Sequence, residues 1–458
     1  MKKRVFLKFF AIAVSALIFI IACEDDETSG DNNYAIVSLS ADGSTNDPTT
    51  ILLISVNDDN LALTADDIKI NTAFTVIKGS LTKTDAMIYE LQITSGKTGL
   101  IRVGLDPYRG FTGWDAKTAN VYADWHFIGT SELSITGKNI SNGLLEIPSS
   151  IAGVPVTSIE ADAFNNKQLT AVTIPESITA IRNNAFAYNQ LTIVEIPESV
   201  TVIGNAAFAY NQIANITISG NVTYIGDNAF FNNRLSAFVI PENITSIGNG
   251  VFAYNQLSGV TIPENVTSIG TGAFTYNQLS GVIIPENVTS IGNIAFAYNQ
   301  LKNIIISEGV RQIGENAFSY NQLSNVTIPK SVTTIGSSAF ANNNLIKIII
   351  PDEVEIIGAN TFFNNKLIDV TISKKAVSIG NSAFEYNKLG EITIPDSVRS
   401  IGVHAFFNNQ ITKITIGENV TLGDLSFGDD FERAYNNNDR KKGLYTLTGG
   451  AWNYSPVP

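Results

Sequence analysis

Residues 252–292 read FAYNQLSGVTIPENVTSIGTGAFTYNQLSGVIIPENVTSIG, so nearly the same 22-residue unit occurs twice in succession. The phenylalanine that opens this unit recurs at a constant interval of 22 residues, at Phe164, Phe186, Phe208, Phe230, Phe252, Phe274, Phe296, Phe318, Phe340, Phe362, Phe384 and Phe406. Ten residues after each phenylalanine stands isoleucine, and five residues after it stands leucine or isoleucine. One unit cannot bury its own apolar face, so the repetition predicts stacked units that bury one another.

The order of residues inside the unit predicts one coil of a leucine-rich-repeat solenoid. A short strand points its leucine, valine and isoleucine inward, and a proline in eight of the twelve units ends the strand because it has no N–H to donate. The next valine and isoleucine turn back into the core, a glycine permits a tight corner, and alanine and phenylalanine close the third side. An asparagine follows the phenylalanine by three residues in every unit except the first, which has Lys167. We expect these asparagines to stack and to satisfy backbone groups in the bend.

The amino-acid sequence of the units resembles one family of leucine-rich repeats. LLEIPSSIAGVPVTSIEADAF at 144–164, followed by units such as IPESVTVIGNAAF, is similar to the BspA-like, or treponemal-type, repeats of bacterial surface proteins, over roughly residues 127–445. Here N-Q-L replaces a bend that is one residue longer in the family's usual coil. The resemblance implies an adhesin that binds host matrix proteins or other cells.

The chain begins with basic residues and a long apolar run that ends in Ala22 and Cys23, which indicates an export signal. A single membrane-spanning helix is the alternative, since the run approaches about 20 residues. The sequence IIAC, ending at the only cysteine, resembles the lipobox of bacterial lipoproteins and favours the signal. It implies cleavage after residue 22, a lipid attached to Cys23, and a location on the outer surface of the bacterial envelope. Residues 23–33 are predicted to form an acidic tether.

Three further segments complete the predicted organisation. Residues 34–126 consist of short alternating runs separated by Asp, Asn, Gly and Thr, which predicts a small antiparallel sandwich. Pieces such as YELQITSGKTGLIRVGLD resemble the Ig-like spacer domains of bacterial surface proteins. Residues 127–423 are predicted to form the solenoid with its N-terminal cap, and residues 424–458, which abandon the repeat, a C-terminal cap and tail. The predicted fold class is therefore mostly β: a solenoid of 22-residue coils preceded by a small Ig-like β-sandwich.

Composition and motifs argue against several classes of function. The formal net charge is −13 and no basic stripe is present, which argues against a nucleic-acid partner. The two histidines, His126 and His404, lie far apart in the array, and no phosphate loop or metal-ligand spacing occurs. The acidic runs EDDE and FGDDFE lack the ligand spacing of a calcium loop. The sequence thus predicts no enzyme, no catalytic residue, no metal and no cofactor.

Two columns of side chains are candidate binding surfaces. The residue nine positions after each phenylalanine is mostly threonine and is expected to face outward, with apolar interruptions at Val239, Ile283, Ile305 and Ile349. The residue two positions after the phenylalanine is tyrosine in four consecutive coils, at Tyr254, Tyr276, Tyr298 and Tyr320. Tyrosine can supply contact area for a protein or stack on sugar rings. Both columns also have a structural interpretation: β-branched residues suit any exposed strand, and stacked rings pack one coil on the next.

These observations predict a non-enzymatic cell-surface lipoprotein whose solenoid binds a protein or glycan on host matrix or on other cells. The membrane is the second predicted partner, through the lipid on Cys23. A structural envelope protein or self-associating scaffold is the alternative. An ice-binding threonine face has least support, because the isoleucines and the bulky Lys347 and Lys413 break its regularity.

Overall fold

The computed structural model describes residues 36–42, 49–56, 68–72, 76–85, 88–95, 99–105, 117–121, 125–128, 133–138, 143–151 and 154–457. The predicted signal peptide, the lipid-attachment residue Cys23 and the acidic tether lie outside these residues. The chain divides into two compact units, residues 1–142 with 147–164 and residues 143–146 with 165–458.

The first unit is built from short strands. They are β1 (Ile36–Asp42), β2 (Thr49–Val56), β3 (Ile68–Thr72), β4 (Val76–Asp85), β5 (Ile88–Ser95), β6 (Gly99–Leu105), β7 (Lys117–Val121), β8 (Trp125–Ile128), β9 (Leu133–Lys138), β11 (Ser150–Ile151) and β12 (Val154–Ile159). Strands β1, β2, β5 and β4 form one antiparallel sheet in that order, and β3, β6 and β7 form another. Strand β9 pairs with β8 and, in parallel, with β12. These strand pairings do not establish an Ig-like sandwich, which stays a prediction.

The second unit is the repeat array. One side of it carries the predicted strands, whose side chains point alternately into the core and out to solvent. They are β10 (Leu144–Glu146), β13 (Ala171–Thr173), β15 (Ile193–Glu195), β17 (Asn215–Thr217), β21 (Gly281–Ile284), β23 (Asn303–Ile306), β26 (Lys347–Ile349), β28 (Asp369–Thr371), β30 (Glu391–Thr393) and β32 (Lys413–Ile416). Neighbouring coils pair in parallel with a register of one coil, as Ile283 does with Ile305. We call this side the main strand face.

The strand was predicted for every coil, but it forms in nine of the twelve. The coils of Phe230, Phe252 and Phe318 keep the path without the strand pairing. In the first of these, Phe238 replaces the smaller valine or isoleucine of the other coils, and its ring lies 4.5 Å from the ring of Phe252 in the next coil. A ring of this size between two coils is the physical reason we assign to the open pairing there.

A second side carries two-residue strands, and all but the last of them end in the returning isoleucine. They are β14 (Ala180–Ile181), β16 (Val202–Ile203), β18 (Tyr224–Ile225), β19 (Ser246–Ile247), β20 (Ser268–Ile269), β22 (Ser290–Ile291), β24 (Gln312–Ile313), β25 (Thr334–Ile335), β27 (Ile356–Ile357), β29 (Ser378–Ile379), β31 (Ser400–Ile401) and β33 (Thr421–Leu422). They pair in parallel, coil on coil, in three runs.

The core of the array is a column of stacked phenylalanine rings. From Phe186 to Phe406, successive rings lie 5.1 to 6.0 Å apart and nearly parallel. All of them are buried, together with the leucine and isoleucine columns. The sequence therefore predicts the inward residues of the coil correctly, and the hydrophobic effect holds coil against coil along the whole array.

The asparagines three residues after the phenylalanines bridge two coils, as predicted, and all of them are buried except the last, Asn409, which is half-buried. In one interior example, the Leu279 N–H donates to Asn299 Oδ1 at 3.0 Å, while Asn299 Nδ2 donates to the carbonyl oxygen of Phe274 in the preceding coil at 2.9 Å. The same Nδ2 also reaches the carbonyl oxygens of Phe296 and Ala297 in its own coil. Eleven asparagines, from Asn189 to Asn409, repeat this arrangement, and we call them the asparagine ladder.

The glycine four residues before the phenylalanine has a different role from the tight corner that we predicted. The backbone φ of Gly270 is not in the left-handed region, but a Cβ there would lie 2.6 Å from the carbonyl carbon of Gly248. At Gly270 the coils approach each other too closely for a side chain. The left-handed residues lie elsewhere, two before and two after the phenylalanine, as in Ile294 (φ 49°) and Tyr298 (φ 56°).

The C-terminal residues leave the repeat after Phe406. Phe427 continues the phenylalanine stack at 4.7 Å from Phe406. Helix α1 (Asp429–Asn437) follows, then β34 (Gly443–Thr448) and β35 (Ala451–Ser455), which extend the sheet of β30 and β32 in antiparallel pairing. Tyr435 of α1 is buried and donates its hydroxyl to the carbonyl oxygen of Gly417 at 2.7 Å. Among the described residues, no helix has the length and apolar character to cross a bilayer.

Candidate interaction surfaces

The residues nine positions after each phenylalanine form an outward column on the main strand face. Its apolar members are strongly exposed: 82% for Val239, 60% for Ile283, and 58% each for Ile305 and Ile349. Ile283 and Ile305 lie in neighbouring coils and face each other in the β21–β23 pairing. A coil with threonine, such as that of Thr261, separates each of the other two from this pair. The contiguous apolar surface is therefore the isoleucine pair, and it is narrower than the four-residue strip considered from the sequence.

Two exposed isoleucines that the sequence analysis did not single out lie near Ile349. Ile346 and Ile368 stand six positions after Phe340 and Phe362, and the Ile368 N–H donates to the Ile346 carbonyl oxygen at 2.9 Å. The other coils have mostly small or polar residues at this position, so two successive isoleucines were the available signal. Together with Ile349 they add a second exposed apolar group toward the C-terminal end of the array.

The C-terminal end of the main strand face is charged and encloses a groove of about 560 Å³. Thr371, Thr393 and Thr415 line the groove with Asp369, Val370, Ile372, Lys374, Glu391, Ile392, Pro395 and Lys413. Its charges are paired between coils: Lys347 Nζ lies 2.6 Å from Asp369 Oδ2, and Lys413 Nζ lies 3.2 Å from Glu391 Oε2. Exposed pairs of this kind contribute about 0–1 kcal/mol each. The charged residues of the lining are two acidic and two basic, so the groove is nearly neutral.

The four tyrosines of the second predicted surface form a stacked ladder. The rings of Tyr254, Tyr276, Tyr298 and Tyr320 are nearly parallel, with centroids 4.3 to 4.5 Å apart. Each ring covers the faces of its neighbours, so edges and hydroxyl groups meet solvent. Stacking on a sugar requires a free ring face, which the two interior tyrosines do not have. The geometry supports the structural interpretation of this column.

Two further features of the tyrosine column agree with a packing role. Where asparagine replaces tyrosine at position 232, the ring of Phe231 bridges the gap and lies 5.2 Å from both Tyr210 and Tyr254. Burial, and then the charges of the neighbouring Tyr276 and Tyr320, raise the pKa of the Tyr298 hydroxyl. The hydroxyl groups are therefore close enough to disfavour one another's ionisation.

An acidic column runs along the array twelve positions after the phenylalanine. Four consecutive coils place an exposed glutamate there: Glu242, Glu264, Glu286 and Glu308. None of the four makes an ion pair with another described residue. The next coil carries Lys330 in this column, and beyond it Lys374 and Lys375 lie 3.7 Å and 2.7 Å from Asp352 and Glu353. This column was not among the predicted surfaces, although the repeated P-E-N motif was its signal in the sequence.

The described residues hold no group of three or more His, Cys, Asp or Glu side chains that could bind a metal. His404 occupies one of the left-handed positions (φ 59°) and stacks on Phe407, with ring centroids 5.1 Å apart. For His126 the structure describes only its place in β8. What the exposed surfaces offer is contact area and charge, which suits binding.

The array matches the model of one protein family and resembles several solved structures. The model described as the BspA type leucine rich repeat region matches residues 138–258, 245–368 and 311–430. A leucine-rich repeat protein from Bacteroides ovatus is 21% identical, with a TM-score of 0.51 over 67% of this chain and 91% of that one. A leucine rich cell surface protein from Faecalibacterium prausnitzii is 26% identical, with a TM-score of 0.45 over 67% and 90%. No curated protein matches the chain. The Bacteroides ovatus structure supports the fold.

Proposed function

This chain belongs to the BspA type leucine-rich-repeat family, and from that premise we propose that it is an adhesin. In this proposal the protein stands on the bacterial surface and binds proteins of host matrix or of other cells through the main strand face. Family membership supports a protein-binding, non-enzymatic role in general. Adhesion, and binding through this face in particular, go beyond what family membership shows.

The observation that carries the proposal is the exposed pair Ile283 and Ile305. Full burial of an isoleucine side chain contributes about 1.5–3 kcal/mol of transfer free energy. A partner that covers two adjacent isoleucines therefore gains several kcal/mol of binding free energy before the costs of association are subtracted. Most other coils place threonine in the same column, and threonine satisfies the strand without this apolar area. A central apolar contact within a polar rim is the usual composition of a protein interface.

The test compares two full-length variants with the wild-type protein. The first, Ile283→Thr with Ile305→Thr and Ile349→Thr, gives these coils the residue that other coils already have. The matched control, Tyr224→Ser with Ile356→Ser, removes exposed apolar residues from the second side and again installs the residue of neighbouring coils. Binding to immobilised extracellular-matrix proteins, mucins and whole bacterial cells is measured for all three proteins.

We expect the threonine variant to lose binding at least tenfold while the serine variant keeps it, with both folded by circular dichroism. Equal binding by all three proteins would exclude the main strand face. Failure of the wild type to bind any target, together with light scattering that shows concentration-dependent assembly, would favour a self-associating scaffold instead.

The proposed anchor is a lipid on Cys23. The resemblance of IIAC to a lipobox supports it, and the residue lies outside the described part of the chain. Expression of the full-length chain in a bacterial host that processes lipoproteins, followed by mass spectrometry of the N-terminal peptide, tests the modification. We expect that peptide to begin at Cys23 and to carry the lipid. An unmodified Cys23 in a peptide that still includes the preceding residues would contradict the lipid anchor.

A further inference from the structure

The exposed isoleucine pair lies beside the acidic column. Ile283 and Glu286 are three residues apart in one coil, and Ile305 and Glu308 are three residues apart in the next. Three residues span at most about 10 Å, so each isoleucine and its glutamate fall within the footprint of a single bound segment. All four side chains are exposed.

The charge beside Ile283 has one sign. Between Leu235 and Leu301 the only charged residues are Glu242, Glu264 and Glu286. None of these three glutamates makes an ion pair with another described residue. Beside Ile305 the charges are mixed, because the exposed Lys302 accompanies Glu308 and Lys330 follows Glu308 in the column. Neighbouring coils lie about 4.8 Å apart, which is well inside the Debye length of about 8 Å at physiological salt. The carboxylates therefore repel one another and create a continuous negative edge.

The ion-paired coils nearer the C-terminus provide the contrast within the same molecule. There the acidic column carries Asp352, followed one coil later by Lys374, and the adjacent Glu353 and Lys375 pair at 2.7 Å. The repeat can thus accommodate neutralised charges in this column. The stretch without counter-charges, Glu242 to Glu286, includes the coil that exposes Ile283 and adjoins the coil that exposes Ile305.

We propose that the main strand face binds a basic polypeptide segment, one that places apolar side chains on Ile283 and Ile305 and lysine or arginine side chains on the acidic column. This inference rests on the proposed function and specifies the partner's chemistry. Charge complementarity selects the occupant: an acidic or neutral segment would leave the carboxylates without counter-charges, whereas a basic one relieves their repulsion. The overall charge of −13 also attracts basic partners from a distance.

The experiment uses the full-length protein and three labelled 12-residue peptides. In these peptides valine alternates with lysine, with glutamine or with glutamate. The test variant, Glu264→Gln with Glu286→Gln, removes two charges beside the isoleucine pair. The control, Glu176→Gln with Glu198→Gln, removes two charges from the same column at least three coils away, about 14 Å or more. Both variants change the net charge equally, and all four glutamates are exposed, so folding is unaffected.

We expect the lysine peptide to bind most tightly, and to bind about fivefold more weakly to the test variant but less than twofold more weakly to the control. Its affinity also falls as salt rises. Equal weakening by the two variants, or equal affinity of the three peptides, overturns the basic-partner inference, as does no binding of the lysine peptide. If a matrix or cell target still depends on Ile283 and Ile305 but not on Glu264 and Glu286, the adhesin proposal survives and only the basic partner is rejected.

Discussion

Replacing Asn299 by alanine tests how the asparagine ladder stabilises the array. Asn299 is 8% exposed, and its side chain makes one hydrogen bond as acceptor and three contacts as donor. The carbonyl oxygens lose little, because each keeps another donor: Asn277 Nδ2 for Phe274 and Asn321 Nδ2 for Phe296. The Leu279 N–H has only Asn299 Oδ1. The substitution therefore leaves one buried N–H without a partner.

An unsatisfied buried N–H costs about 1–3 kcal/mol, so we expect Asn299→Ala to lower the free energy of unfolding by about 2 kcal/mol. The measurement is urea denaturation followed by circular dichroism, with the neighbouring exposed Gln300→Ala as control, which should change stability by less than about 0.5 kcal/mol. Asn409→Ala, at the half-buried end of the ladder, should cost less because water can reach the freed N–H. Equal effects of Asn299→Ala and Gln300→Ala would refute the assigned role.

Three further predictions concern packing, backbone strain and ionisation. Gly270→Ala should destabilise the fold by about 2 kcal/mol or more in urea denaturation, because its Cβ meets the backbone of Gly248 at 2.6 Å, whereas Gly259→Ala, with nothing within 4 Å, should be neutral or slightly stabilising. Ile294→Asn should raise the thermal midpoint and add about 1 kcal/mol, because a β-branched residue is strained at φ 49° and asparagine is not; an unchanged midpoint would contradict the strain. The pKa of Tyr298 is raised above its unfolded value of about 10, so its stabilising contribution is complete below pH 10 and is lost as pH rises through the folded pKa. Alkaline denaturation of Tyr298→Phe should show a weaker loss, and the same loss as wild type would show that this hydroxyl is not responsible.

Much of the coil could be predicted from its period alone. Twelve phenylalanines at one spacing fix which residues face inward, because a stacked unit has a single way to bury them, and the structure confirms the inward columns. The exposure of Ile283 follows from the same alternation along a strand. The role of the buried asparagines also followed from the sequence, since a polar residue kept among apolar ones must satisfy a backbone group.

What the period could not predict is the backbone conformation at the corners. The column that carries Tyr298 contains only tyrosine and asparagine. Its backbone is left-handed, a conformation that asparagine adopts readily. Packing of the rings explains the tyrosines, and the backbone explains the asparagines. The glycine column was assigned to a tight corner, although its cause is the approach of the next coil, and contacts between distant residues do not appear in a local pattern.

The candidate binding site was only partly predictable. Its apolar residues were visible in the sequence as departures from a threonine column. That only Ile283 and Ile305 form a contiguous apolar surface follows from the pairing of their coils in the structure. The acidic column was overlooked because glutamate in an exposed turn is ordinary. The column becomes a candidate binding surface only in the folded array, where the coils stack and no described base forms an ion pair with Glu242, Glu264 or Glu286.

The asparagine ladder makes the length of the array adjustable. Each asparagine accepts a hydrogen bond from a backbone N–H of the coil before it, as Asn299 does from Leu279. Every coil therefore supplies the acceptor for the preceding coil and depends on the following coil for its own. A duplicated block of 22 residues inserted inside the array would find both partners already in place. Such an array can gain reach in steps of about 4.8 Å by copying, whereas an insertion of any other length would break the ladder.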